Sequence, residues 1–397
     1  MKTQKFWILT AIVATLLALA THGYLSAQNY RLKSGVADSK SVCNINSQFN
    51  CDAVALSSYS EVAGIPVAVW GLATNGVLLF FLLMMLTRLS ADTGRVARFT
   101  FGLSALVLAA SVVMGAISML QLSTYCLFCI AAYVLSAVQA FAAFQVTRLE
   151  NSKSPFRLDI LPALREQRWI VILIVLVPAI AWLGNRMGRD TFGRSIPPHL
   201  IEETVSFWKT STANEFNPNE GLSYAVGDPA QAKMTIVEFA DFLCPHCKTA
   251  ATPLHIFTQS RKDVRLVFKP FPLDGTCNSG ITQKGDGYRC KLAAATLCSE
   301  QLTQKGWIAH DWIFERQSSL SSSRWDEDLN EIAKAVGAPA DQLKACVDSP
   351  DTNALLLRLT GEGVNAKVPG TPSIFVNGKK LDAGQFIQVL DAVYKSL

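Results

Sequence analysis

Five stretches of this chain are apolar for long enough to cross a lipid bilayer, which rules out a single ordinary soluble domain. Phe6 to Ala27, Ile65 to Leu86, Phe99 to Leu120, Tyr125 to Val146 and Trp169 to Met187 each run with few or no charges. Each is close to the roughly 20 residues that a helix needs to span about 30 Å of hydrocarbon. All five precede residue 190 of 397, so the polar remainder must form a separate folded body. Lys2 and Lys5 precede the first run, and Ala18-Leu19-Ala20 offers a small-residue pattern that a signal peptidase could accept. Four more spans follow, and the first run is therefore read as a signal anchor that stays.

Lysine and arginine set the expected orientation. Lys2 and Lys5, then Arg88, Arg95 and Arg98, then Arg148, Lys153, Arg157, Arg165 and Arg168 mark segments that alternate correctly for a cytoplasmic N-terminus. The opposite side then receives the loop from Gln28 to Ala63, the turn from Gln121 to Thr124, and everything after Met187. All ten cysteines lie outside or near that outer face, where disulfides persist. The expected setting is a multi-pass protein of the inner or plasma membrane, in contact with the lipid bilayer, with its polar domain extracytoplasmic. The net charge of +5 comes partly from the cytoplasmic anchors. No basic, aromatic-interleaved patch supports a nucleic-acid partner.

The cysteines carry the chemistry. Cys126 and Cys129 open an apolar helix, three residues apart and on one face, and Tyr133 extends that face by another turn. Ser123 or Thr124 could cap this helix, and its dipole favours a thiolate there. Cys43 and Cys51, separated by seven residues, lie in a polar outer loop with Asn44, Asn46, Ser47, Gln48 and Asn50. Such a loop lets one thiol swing outward while its partner turns inward; a static loop disulfide is the alternative.

The ordered set Cys43, Cys51-Asp52-Ala53-Val54 with Ser57, Gly64-Ile65-Pro66, Gly71-Leu72, and Cys126-Leu127-Phe128-Cys129 with Tyr133 resembles the vitamin K epoxide reductase family over roughly residues 5 to 150. The resemblance implies a four-helix bundle holding a quinone of the ubiquinone or menaquinone type near Cys129, with Ser57 and Tyr133 close to it. It further implies that Cys51 exchanges with Cys126 and that Cys43 is the outer, mobile thiol. Since a quinone dissolves in the membrane, the thiol that reduces it should lie deepest, which is Cys129.

Residues 148 to 168 form a cytoplasmic connector with Pro155 and Pro162, and Trp169 to Met187 returns the chain outward. A short helix is expected from His199 to Thr210 before the compact domain begins near Met234. Met234 to Ala240 reads as a strand, followed by Cys244-Pro245-His246-Cys247 on a helix whose first turn suits the proline. Cys244 is expected exposed and nucleophilic, with its thiolate favoured by protonated His246, while Cys247 lies one turn inside. Far downstream, Val368-Pro369-Gly370-Thr371-Pro372 precedes a strand from Ser373 to Val376, and Asn377-Gly378 supplies a hairpin turn. With the Cys-x-x-Cys, this pattern resembles a thioredoxin fold, in which a cis Thr371-Pro372 bond lies against Cys244 and Pro372 helps present main-chain groups to an extended peptide.

Cys-Pro-His-Cys, together with the long segment between the strand Val264 to Lys269 and Thr371, resembles the DsbA-like thiol oxidases, which carry a helical insertion there. Glu238 matches that family's buried acid near the redox pair; it could equally be salt-bridged, with Lys269 the candidate. Cys277 is expected to pair with Cys290 and Cys298 with Cys346. A zinc site built from Cys126, Cys129, Cys244 and Cys247 is not expected, because it would join a membrane helix to a remote domain with no histidine nearby.

The expected architecture is a multidomain membrane protein. Its parts are an all-α transmembrane four-helix bundle (1–150), a connector with a fifth spanning helix (151–190), and an α/β thioredoxin-fold domain with a helical insertion (191–397). The expected activity is thiol-disulfide oxidation of reduced exported proteins, with electrons passing from Cys244/Cys247 through Cys43/Cys51 and Cys126/Cys129 to membrane quinone. A reductase or isomerase running the other way, and a membrane-anchored thioredoxin-like chaperone, are the alternatives.

Overall fold

The computed structural model describes residues 2–33, 49–57, 59–89, 92–122, 124–150, 165–166, 168–192 and 196–397. The chain divides into two compact units, Met1–Ser195 and Ile196–Leu397.

The N-terminal unit contains five helices long and apolar enough to cross a membrane: α1 (Lys2–Lys33), α3 (Val67–Thr87), α4 (Thr93–Leu120), α5 (Leu127–Leu149) and α6 (Arg168–Phe192). A short helix α2 (Cys51–Leu56) and a two-residue hairpin, β1 (Glu61–Val62) with β2 (Ile65–Pro66), lie between α1 and α3. Leu106, Val112, Met119 and Leu120 of α4 are more than 60% exposed, the arrangement of a helix whose outer face meets lipid rather than water.

With lipid outside, apolar burial gives little drive for helices to associate, and packing by small residues and polar contacts takes over. A side chain at Gly71 of α3 would overlap the His22 ring of α1. Deeper in the bundle, Gln139 of α5 donates to Thr15 Oγ1 of α1 at 3.0 Å and to Asn75 Oδ1 of α3 at 2.7 Å. Three helices are thereby tied at one point.

The C-terminal unit begins with α7 (Pro198–Thr210) and holds a five-stranded sheet ordered β3-β5-β4-β6-β7. Its strands are β3 (Leu222–Ala225), β4 (Met234–Ala240), β5 (Val264–Pro270), β6 (Ser373–Val376) and β7 (Lys379–Lys380). β4 and β5 run parallel through the crossover helix α8 (Pro245–Gln259), and β6 returns antiparallel to β4. The edge strand β3, which pairs with β5, was not foreseen: it is only four residues long, although Asn217-Pro218 and Gly227-Asp228 bound it. Between β5 and β6 stands the helical insertion: α9 (Tyr288–Thr303), α10 (Gly306–Glu315), α11 (Trp325–Val336), α12 (Ala340–Val347) and α13 (Pro350–Asn365). Helix α14 (Ile387–Ser396) closes the chain against α7 and α8.

Disulfides join Cys277 to Cys290 and Cys298 to Cys346, the pairing expected from the sequence. They close loops of 13 and 48 residues. On a chain-entropy account these closures contribute about 3 and about 4 kcal/mol.

The structure sets aside the alternative of an ion pair between Glu238 and Lys269 and leaves Glu238 as a buried acid. In the β4–β5 ladder Glu238 is level with Phe268, and Lys269 is level with Phe239. Side chains alternate along a strand, so Glu238 and Lys269 point to opposite faces of the sheet. Lys269, wholly buried, instead pairs with Glu362 of α13 at 2.7 Å and donates to the carbonyls of Asn217 (2.8 Å) and Glu220 (3.1 Å). Removing one member of a buried pair strands the other charge. Glu362→Ala is therefore expected to destabilise the C-terminal unit by about 3 kcal/mol, lowering its melting temperature by about 6–12 °C in a thermal scan.

Candidate functional site

The first dithiol lies at the start of α5. Asn50 N donates to Tyr125 O at 3.0 Å, and Phe49 and Tyr125 form an isolated bridge. This pairing holds the chain extended up to Cys126, so the helix cannot begin earlier and Cys126 takes the N-cap position itself. Its Sγ accepts from Cys129 N at 3.2 Å. The expected cap at Thr124 is thus displaced by two residues, and Ser123 lies outside the described residues.

Cys51 opens α2, which Asn50 caps through a 3.0 Å bond from Ala53 N to its Oδ1. Cys51 and Cys126 are buried together, with Leu25, Val54, Phe128 and Cys129 packed against them. Cys51 is disulfide-bonded, whereas Cys126 and Cys129 are free thiols. Cys43 lies outside the described residues. Ser57, buried at the end of α2, donates from Oγ to Val54 O at 2.8 Å. Tyr133 lies one turn beyond Cys129, close enough to Cys129 and Cys126 to feel their charge, with its ring facing Gly115 of α4. Cys129 and Tyr133 thus put a thiol and a phenol hydroxyl on one face of α5, four residues apart.

The second dithiol lies where β4 meets α8. Cys244 is the N-cap and Pro245 occupies the first turn. Asp241 shapes the approach, accepting from Leu243 N and Leu273 N, each at 2.7 Å, and pairing with Arg289. Gln317, from the insertion, donates to the carbonyls of Phe242 (2.7 Å) and Cys244 (2.9 Å). The Thr371-Pro372 bond is cis, and Cys244 Sγ stands 3.4 Å from Thr371 O.

Cys244 is 9% exposed, less open than expected. Its pKa is lowered to about 5, first by the hydrogen bond from the Cys247 thiol, then by the amide of Cys247, the Thr371 side chain and the amide of His246. His246 thus acts through its main chain; its imidazole points to solvent. Burial, the bond to Cys244 and the charge of Glu238 push Cys247 far above the ordinary thiol range. The pair is divided into a thiolate and a protonated thiol. Glu238, 1% exposed, has its carboxyl raised to about 8 by burial and by the Cys244 charge, so it is mostly protonated at neutral pH.

Residues 9–144 match the vitamin K epoxide reductase family, and residues 235–395 match the DsbA-like thioredoxin domain. The chain joins one domain of each kind. Among curated relatives, the Na(+)/H(+) antiporter NhaA 3 of Salinispora tropica is 28% identical over 178 residues, covering 43% of this chain and 24% of the antiporter. The chain therefore spans about a quarter of that relative's length. The probable disulfide bond formation protein D of Bacillus cereus is 29% identical over 154 residues, covering 37% of this chain and 67% of that one. Among solved structures, a thioredoxin-like oxidoreductase from Silicibacter pomeroyi DSS-3 is 24% identical with a TM-score of 0.35, covering 45% of this chain and 94% of its own.

In the vitamin K epoxide reductase domain the structure gathers Cys51, Cys126 and Cys129, with Tyr133 beside them. In the DsbA-like domain it gathers Cys244, Cys247, Thr371 and Glu238. Sequence reasoning missed Gln317, which belongs to no motif and is brought to the redox turn only by the folding of the insertion.

The reduced DsbA-like domain is expected to react with iodoacetamide at Cys244 with a rate midpoint near pH 5. Cys247→Ala moves that midpoint upward by removing the largest stabilising contact. The stability lent by the thiolate is full above the ordinary thiol value of 9.0 and is lost as pH falls through about 5. Glu238 acts in the opposite sense, weakening the fold as pH rises from 4.5 to about 8. Glu238→Gln removes that second dependence, seen in melting temperatures of the reduced protein across this range.

Proposed function

We propose that the protein is a membrane thiol-disulfide oxidoreductase that forms disulfide bonds in exported proteins and passes the electrons to a quinone of the ubiquinone or menaquinone type. The observation that carries this reading is the packing of Cys51 against Cys126 beside Cys129. Cys51 and the Cys126/Cys129 pair, distant from it in sequence, stand together in a helical domain built for lipid, in a chain that also carries a thiolate-forming Cys-x-x-Cys.

In the proposed cycle, Cys244–Cys247 begins as a disulfide. A substrate thiolate attacks Cys244 Sγ, the Cys247 sulfur leaves and takes a proton, and a second substrate thiolate then releases the Cys244 thiolate. The substrate is oxidised by two electrons and the pair is reduced to two thiols. The depressed pKa of Cys244 favours its departure, which makes this disulfide an oxidant rather than a store of reducing power.

The Cys244 thiolate next attacks the Cys43–Cys51 disulfide, and Cys247 displaces the mixed bond. Cys51 then attacks Cys126 within the Cys126–Cys129 disulfide, freeing the Cys129 thiolate, and Cys43 attacks Cys51 to restore the Cys43–Cys51 disulfide and release Cys126 as the second thiol. A bound quinone would take up two electrons and two protons as the Cys126–Cys129 disulfide re-forms. Tyr133 is the proposed hydrogen-bond donor to it, and Ser57 is the second proposed contact. Tethering the two redox domains in one chain raises their effective concentration to about the millimolar range, so a weak contact suffices.

The proposed domain limits are 1–150, 151–190 and 191–397, with the thioredoxin-like part on the extracytoplasmic side of the inner or plasma membrane. The alternation of lysine and arginine along the chain supports that side. Reduced exported proteins, with thiols accessible in an unfolded chain, are the proposed partners.

The test is anaerobic. Purified full-length protein in detergent, given a reduced unfolded substrate and a quinone, should produce one quinol per disulfide formed. Cys126→Ser and Cys129→Ser should each lower quinol production to the rate without protein. Cys43→Ser should block reoxidation of Cys244 and Cys247; normal reoxidation in that variant would refute the order of transfer. In cells the Cys244–Cys247 pair is expected oxidised, and a predominantly reduced pair would point to electron flow in the reductive direction.

A further inference from the structure

Gln317 belongs neither to the Cys-x-x-Cys nor to the sheet. It opens a one-turn 3₁₀ helix, Gln317–Ser319, on the segment between α10 and α11 of the insertion. Its side-chain nitrogen donates to Phe242 O at 2.7 Å and to Cys244 O at 2.9 Å. Both amide hydrogens therefore go to carbonyls of the residues that lead into α8.

The turn that carries Cys244 is held from two sides. Asp241 takes its amides: the carboxylate accepts from Leu243 N at 2.7 Å, and the Asp241 carbonyl accepts from Cys244 N at 3.1 Å. Gln317 takes its carbonyls. Cys244 O also accepts from Cys247 N at 3.1 Å and Lys248 N at 3.2 Å, which makes it the carbonyl that starts α8. Gln317 fixes that same oxygen from outside the helix. Pro245 already restricts Cys244 to extended backbone, and Cys244 lies there at φ −82° and ψ 119°. Phe242 and Leu243 are left as the links through which the turn could shift.

The insertion also grips these residues by packing. The Phe242 ring lies 5.0 Å from the Phe314 ring of α10, and Lys248 of α8 donates to Glu315 O, at the end of α10, at 3.3 Å. Gln317 carries that placement of α10 to the main chain of Cys244. A shift there changes what the sulfur meets. The Cys244 thiolate depends on donors fixed by α8, first the Cys247 thiol and then the Cys247 amide, and hydrogen bonds weaken steeply with misalignment.

We propose that Gln317 is a positioning residue for the redox pair, through which the helical insertion sets the oxidising strength of Cys244–Cys247. It holds the Cys244 carbonyl, and with it the sulfur, in line with the donors at the start of α8. Releasing this hold destabilises the reduced pair and leaves the disulfide a weaker oxidant. The inference rests on Cys244 and Cys247 being an exchanging pair, and on neither the direction of electron flow nor a quinone.

The test uses full-length protein in detergent. Gln317→Met keeps the length of the side chain and removes both donors; Gln317→Glu puts carboxylate oxygens opposite the two carbonyls. Alkylation of Cys244 by iodoacetamide is followed across pH by mass spectrometry of its peptide, and the Cys244–Cys247 disulfide is equilibrated in glutathione buffers. Each variant should raise the alkylation midpoint by about one pH unit, within the worth of a hydrogen bond to a charged group. Each should also make the disulfide about tenfold less oxidising, or about 30 mV. Glu362→Ala weakens the same unit away from the redox turn and should leave midpoint and equilibrium as in the wild type. Wild-type values in either folded Gln317 variant would overturn the inference, as would a shift in Glu362→Ala as large as theirs. A wild-type chain that forms no Cys244–Cys247 disulfide in these buffers would refute the redox reading together with it.

Discussion

Both Cys-x-x-Cys pairs depend on the same constraint: the first cysteine of each is the N-cap of its helix. Cys126 caps α5 and Cys244 caps α8, so each first sulfur stands outside the helix while its partner sits one turn within. At a helix start the amides lack carbonyl partners, and the end of the helix carries partial positive charge. A thiolate gains from both. The spacing of three residues is what converts two similar thiols into unlike ones.

What surrounds each cap then sets its character. The Cys126 sulfur accepts from the amide of Cys129, inside a cluster closed by Phe128 and Leu25. The Cys244 sulfur faces the Thr371 carbonyl across the cis-proline turn. Beneath that second pair, Glu238 is buried on the sheet face away from Lys269, and no ion pair with that lysine holds its charge. An acid in such a place follows the charge state of the neighbouring sulfur.

The parts of this architecture that rest on local periodicity were legible before any coordinates. The apolar runs located all five long helices, although the helices extend beyond those runs by up to a turn or two at their ends. The strand Met234 to Ala240 and the pairing of the four insertion cysteines were also readable. What was not legible depends on register and on distant contacts. The Glu238–Lys269 alternative stayed open in the sequence because strand register decides which face a side chain takes. The cap of α5 was misplaced because the bridge from Phe49 to Tyr125, two residues far apart in sequence, decides where that helix starts. Gln317 carries no motif; it acquires meaning only from the carbonyls of Phe242 and Cys244 that stand beside it.

The two insertion disulfides give the C-terminal unit a redox dependence of its own. Cys298 and Cys346, 48 residues apart, join α9 to α12, and Gln317, which braces the redox turn, lies in the segment they enclose. Until that bond forms, this segment is held by packing alone, so the turn around Cys244 is fully braced only after the insertion has itself been oxidised.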